Sequence, residues 1–199
     1  MLHNLAHNLD LAGKPTIVGC REVVNQTELP QLVQMLRDGV ADIAVCTEEL
    51  ATAPGLESEK CYHWNHGLVV AEGHALQSGV LTLERISHYP ILTYVFGFTG
   101  RGKIQQVFRD AGHELDVSFA ATDTDVILSY VRLGFGAGII AKMAYSHIHD
   151  NDLTLRDLSH LLPFSTTRVA WLKNKYLKGY VSELVGLLIE YGNSEEDYI

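Results

Sequence analysis

Positive charge is scarce in this sequence: 15 Lys and Arg stand against 24 Asp and Glu over 199 residues, a formal net charge of −9. Nucleic-acid affinity draws largely on cationic contacts to phosphates, so a surface with this balance repels DNA and the chain alone is a poor DNA binder. That leaves open its being the regulatory part of a DNA-binding protein. Cysteine is equally sparse. Cys20, Cys46 and Cys61 are odd in number and lack metal-ligand spacing, which argues against a disulfide scaffold and for a reducing, cytoplasmic setting. No run approaches the roughly 18 apolar residues that span a bilayer, so no membrane partner is expected. Met1 to Asn8 lacks the basic stretch and apolar core of a secretory signal.

Chemistry-bearing motifs are missing as well. There is no GxSxG elbow and no P-loop. His3 and His7 are spaced to share a helix face, but no HExxH glutamate accompanies them. The glycines of Gly134-Phe135-Gly136-Ala137-Gly138 lack GxGxxG spacing and lead into a strand, which excludes a nucleotide loop. No cofactor, no metal and no enzyme are therefore expected.

What is present is an alternation of short apolar runs with helical patterns. Leu2 to Leu11 reads as a helix and Pro15 to Cys20 as a strand. Asn25 or Thr27 then caps a helix with Leu29, Leu32, Val33 and Leu36 on one face, which Gly39 ends. Asp42 to Cys46 reads as an interior parallel strand, with Thr47 just beyond its carboxyl end. Gly67 to Val70, Pro90 to Tyr94, Asp116 to Ala120, Gly136 to Ile140 and Ser165 to Trp171 are further strands. Between them fall a short helix capped by Thr82, one from Lys103 to Gly112, and one capped by Thr122 or Asp123. The last of these carries Val126, Ile127, Tyr130, Val131 and Leu133 on its apolar face. A closing helix from Lys175 to about Tyr191 is expected to bury Tyr176, Tyr180, Leu184, Leu187 and Leu188. This alternation argues for α/β architecture with mainly parallel sheets, in two small lobes with a ligand in the cleft between them.

The stretch Tyr94-Val95-Phe96-Gly97-Phe98-Thr99-Gly100-Arg101 runs from strand through glycine turn to helix start. Such a junction offers free backbone N–H groups and the positive end of a helix dipole to an anion. Thr99 is thus a candidate ligand residue as well as a candidate cap. Thr47 lies after its strand, where ligands of open α/β sheets sit, although threonine there is often only a turn residue.

The tracts Ala41 to Leu50, Cys61-Tyr62-His63-Trp64-Asn65, Tyr94 to Arg101, Ala121 to Val126 and Tyr130 to Gly134 resemble the LysR-type transcriptional regulators, specifically the effector-binding domain of the CysB type, which regulates sulfur assimilation and cysteine biosynthesis. The resemblance runs from about residue 15 to 191. It implies two Rossmann-like subdomains joined by two crossover strands, like the type 2 periplasmic binding proteins, with crossovers near Cys61 to Asn65 and Ser165 to Ala170. Residues 1–63 plus 168–199 would form the first subdomain and 64–167 the second. It further implies a small anionic effector (sulfate, N-acetylserine or O-acetylserine) bound between the lobes. The family's ligand residues fall on Thr47, Trp64, Thr99 and the Gly100 backbone. Trp64 taken alone would more often be core packing. The family also implies a homo-oligomer, a dimer through the first subdomain, whose DNA contact is made by an N-terminal winged helix-turn-helix; no segment of this sequence corresponds to it. Two alternatives share the architecture: a solute-binding protein for transport, which predicts export, and an enzyme of small anionic metabolites, which predicts turnover of acetylserine.

Overall fold

The computed structural model describes residues 29–47, 53–95 and 100–195. The expected first helix and strand, the cap at Asn25 or Thr27, and residues 96–99 and 196–199 lie outside them. In order, the described elements are α1 (Leu29–Arg37), β1 (Ala44–Thr47), β2 (Leu56–Trp64), β3 (His66–Ala71), a 3-10 turn (Ala75–Gln77), α2 (Leu83–Ser87), β4 (Ile91–Tyr94) and α3 (Arg101–Asp110). There follow β5 (Val117–Ala121), α4 (Thr124–Arg132), β6 (Ala137–Ala141), a 3-10 turn (Lys142–Ala144), β7 (Leu153–Asp157), β8 (Ser165–Leu172) and α5 (Gly179–Glu195). Packing groups them into two units. One holds residues up to His63 together with those from Ser165 on; the other runs from Trp64 to Phe164.

The second unit is built on a five-stranded sheet in the order β5-β4-β6-β3-β7. Its three central strands are apolar along almost their whole length, because both of their faces are covered. Alternate residues then serve opposite faces. Leu68, Val70, Ile91 and Ile139 pack with Leu76, Ile86, Ile104 and Phe108 from the 3-10 turn, α2 and α3. Val69, Leu92 and Ile140 pack with Ile127, Leu128 and Val131 of α4. The result is three layers, helix, sheet and helix. Close approach is bought at Gly136, where a Cβ would stand 2.2 Å from the Pro90 carbonyl oxygen, and at Gly138, where it would stand 3.0 Å from Val131.

The first unit contains a three-stranded sheet, order β1-β8-β2, with Leu32, Leu36 and Ala44 packed against Ala170. α5 buries Val181, Val185 and Leu188, at i, i+4 and i+7.

Several sequence expectations need correction. β1 pairs antiparallel with β8 (Ala44 opposite Ala170), not parallel; an apolar run reports burial and carries no information on strand direction. The larger sheet is mixed: β4 runs parallel to β5 and β6, whereas β3 is antiparallel to β6 and β7. α4 buries Ile127 and Val131 as expected and also Leu128, while Val126 and Leu133 are exposed, so the apolar face is rotated by roughly 100°, about one residue, from the expected one. The last helix starts at Gly179 and leaves Tyr176 86 % exposed. Leu184 and Leu187, expected in its core, are only half-buried.

Candidate functional site

Tyr94 closes β4 and is the centre of the edge where the parallel strands end. Its side chain is buried, and its hydroxyl lies 2.7 Å from Thr124 Oγ1 and accepts the Ala141 N–H at 3.2 Å. Burial pushes its phenol above the ordinary tyrosine range, so the hydroxyl stays protonated and serves as a clamp. One hydroxyl thereby ties the end of β4 to the first residue of α4 and to the end of β6.

From the same residue the chain turns into α3. Arg101 Nη1 donates to the Tyr94 carbonyl at 2.8 Å, and the Ile104 N–H donates to the Gly100 carbonyl at 3.2 Å. Gly100 is the N-cap and sits at φ 69°, ψ 14°, a left-handed conformation that glycine adopts without Cβ strain. The helix therefore starts one residue later than a Thr99 cap requires. Gly100 has no side chain with which to cap the first-turn N–H groups. The first turn carries no acid and contains Arg101 and Lys103. Partial burial lowers both of their pKa values, since it disfavours charge. Two half-buried basic residues thus lie in the first turn, at the positive end of the helix dipole, where negative charge is favoured.

On the other side of the edge, the Lys142 N–H donates to the Asn65 carbonyl at 2.9 Å, extending the β3–β6 ladder beyond His66 and Ala141. Hydrogen bonds thus join Arg101 to Tyr94 and Tyr94 to Ala141, and the next residue in the chain, Lys142, bonds Asn65. Trp64, the residue before, is 4 % exposed, with its ring centroid 4.9 Å from that of His66. Its indole N–H is buried without an acceptor.

Of the residues expected to bind a ligand, Trp64 and Gly100 fall in the second unit and are connected through this edge. Thr47 is the last residue of β1 in the first unit, half-buried and opposite Thr167. Thr99 lies outside the described residues. Sequence reasoning assigned no role to Tyr94, Thr124, Lys103 or Asn65. The position of Tyr94 at the end of an apolar run next to the glycine turn was its available signal. Among the described residues no cluster of His, Cys, Asp or Glu could hold a metal, and no helix is long and apolar enough to cross a membrane. Cys61 is buried, and burial pushes its thiol up to about 11, which makes it unreactive.

Residues 23–193 match the LysR substrate binding domain model. The chain belongs to the LysR substrate binding domain family. Within that family it is 42 % identical over 167 residues to the HTH-type transcriptional regulator SsuR of Burkholderia cenocepacia, covering 83 % of this chain and 54 % of that protein. It is 38 % identical over 163 residues to the regulator CysB of Haemophilus influenzae, covering 81 % and 50 %. The chain therefore spans about half the length of these curated relatives. They are transcriptional regulators, not enzymes. The crystal structure of the cofactor-binding domain of the Cbl transcriptional regulator superposes with a TM-score of 0.77 at 32 % identity, over 82 % of this chain and 72 % of that one. The fold is that of the LysR effector-binding domains, the type 2 periplasmic-binding-protein class expected from the sequence.

Proposed function

We propose that this domain senses a small oxygen-rich anion, sulfate or an acetylserine, for a cytoplasmic regulator of sulfur assimilation and cysteine biosynthesis. The observation that carries the ligand class is the first turn of α3, which contains Arg101 and Lys103 and no acidic residue at the positive end of the helix dipole. The link to sulfur metabolism rests on the kinship with SsuR, CysB and the Cbl domain. Thr47, Trp64, Thr99 and the Gly100 backbone are the contacts we assign to the effector. The regulator acts as a homo-oligomer, a dimer through the first unit, and DNA is contacted by a segment other than this one, in keeping with a net charge of −9.

Isothermal calorimetry with sulfate, N-acetylserine and O-acetylserine tests the reading. At least one is expected to bind the chain. Thr99→Val should weaken that binding about 10-fold or more, because a buried anion loses a donor worth roughly 1.5–3 kcal/mol. Absence of heat with all three ligands overturns the reading.

A further inference from the structure

We propose that Asn65 is a ligand-binding residue whose amide NH2 donates to an acceptor oxygen of the effector, so that an ammonium or amide N–H is excluded from that end of the ligand. The inference rests on the anion-sensing reading and makes it specific. Asn65 is the single residue between β2 and β3, and it is 4 % exposed. Its Oδ1 accepts the His66 N–H at 2.7 Å. A backbone N–H needs an acceptor, so this contact decides which way round the amide lies and leaves Nδ2 pointing away from it. Nδ2 is buried and has no acceptor.

Buried polar groups are nearly always paired, and one left alone carries its full desolvation cost. Here two consecutive residues, Trp64 and Asn65, each keep a buried N–H without an acceptor. Each of the two donors requires an acceptor of its own. The segment that holds them is rigid: its backbone is tied to Lys142, and that strand end is tied in turn to Tyr94. Fixed, desolvated donors are poised for binding, since nothing has to be reorganised when the acceptor arrives. An ammonium or amide N–H directed at Asn65 would set donor against donor. An oxyanion oxygen satisfies it.

Asn65→Asp is the informative substitution, because it keeps the oxygen facing the His66 N–H and exchanges the unpaired NH2 for a second oxygen. Calorimetry on the 199-residue chain with sulfate and with N-acetylserine should show the variant binding the wild-type ligand at least 100-fold more weakly at pH 7. Affinity should recover in part as the pH is lowered far enough to protonate the new carboxyl, whose O–H then donates. Equal affinities for wild type and Asn65→Asp overturn the assignment of Asn65 and leave the anion-sensing reading intact, provided that the wild type binds. A wild type that binds neither these two probes nor O-acetylserine overturns both. Should the variant fail to fold, the Asn65 side-chain amide resonances of the 15N-labelled wild type decide: sulfate should shift them and slow their exchange, and unaltered resonances at saturation refute the contact.

Discussion

Tyr94→Phe removes one oxygen atom from the edge that carries the candidate site, and the consequence can be worked from the contacts. The Ala141 N–H, on a residue only 2 % exposed, loses its acceptor at 3.2 Å and has no water to turn to. Leaving a buried donor unpaired costs about 1–3 kcal/mol. Thr124 also loses its partner at 2.7 Å, but it is half-buried and water can replace the phenol there, so this adds little. For a chain of this length each kcal/mol lowers the midpoint of thermal unfolding by roughly 2–4 °C, which gives a fall of about 2–12 °C. Tyr176→Phe supplies the control, since that ring is 86 % exposed and the same chemical deletion should leave the midpoint within about 0.5 kcal/mol of wild type. Both variants are measured by calorimetric or circular-dichroism melts in one buffer. If Tyr94→Phe melts together with Tyr176→Phe, the clamp between β4, α4 and β6 does not exist as described.

The closing helix offers a matched pair of glycines. A Cβ on Gly192 would stand 2.1 Å from the Cys61 carbonyl oxygen, whereas one on Gly186 meets nothing within 4 Å. Gly186→Ala should therefore stabilise by up to about 1 kcal/mol through helix propensity. Gly192→Ala should destabilise, because overpacking against backbone costs about 1–3 kcal/mol and exceeds that gain; thermal melts that rise for both variants refute the packing of α5 on β2. The Cys61 thiol, raised from 9.0 to about 11, should react with iodoacetamide at pH 8 at least about 100-fold more slowly in the native chain than after unfolding. Equal rates would mean an exposed thiol. Arg132 donates to Asp152 at 2.8 Å and to Asp150 at 2.6 Å, and the hydrogen bond from Arg132 holds the Asp152 carboxyl below its ordinary pKa. A depressed carboxyl contributes stability that is present above its unfolded-state pKa, near 3.8, and is lost as the pH falls through its lower folded-state value. Arg132→Gln should accordingly lower the melting temperature at pH 7, and the gap to wild type should narrow towards pH 2; a gap that widens on acidification contradicts the pairing.

Where side chains meet core on both faces, the sequence declared the element. β3, β4 and β6 are apolar at nearly every position because helices cover both sides of their sheet, and each was legible as a strand. Thr82, and one of Thr122 and Asp123, were legible as caps because a short oxygen-bearing side chain before an apolar pattern satisfies a specific N–H; Thr82 takes that of Arg85 and Asp123 that of Asp125. Half-buried elements were not legible. The first half of β2, Leu56 to Lys60, alternates exposed and half-buried residues in a charged stretch, and β7 is five residues with only Leu153 buried. The closing helix was given the wrong phase because Tyr176 and Tyr180 look like core residues. Packing buries the expected Leu188 but joins it with Val181 and Val185, the row that lets Gly192 approach Cys61.

The candidate site divides along the same physical line. Gly100 announces a turn between strand and helix because few other residues fit there, and its positive φ is the reason. Apart from the family resemblance, Trp64 and Asn65 announce nothing, since a tryptophan in an aromatic tract reads as core and an asparagine between strands reads as turn. Their significance depends on a missing partner, and a missing partner is a property of three-dimensional surroundings alone. Asn65 makes the point most sharply: one end of its amide is satisfied by the residue next to it in the chain, a local arrangement that would occupy any turn asparagine. The other end is isolated only because Lys142, Ala141 and Tyr94, residues 29 or more positions away, hold the segment inside the protein. A sequence reports what a residue can bond to; only the fold determines which of those bonds are withheld, and it is the withheld ones that a ligand completes.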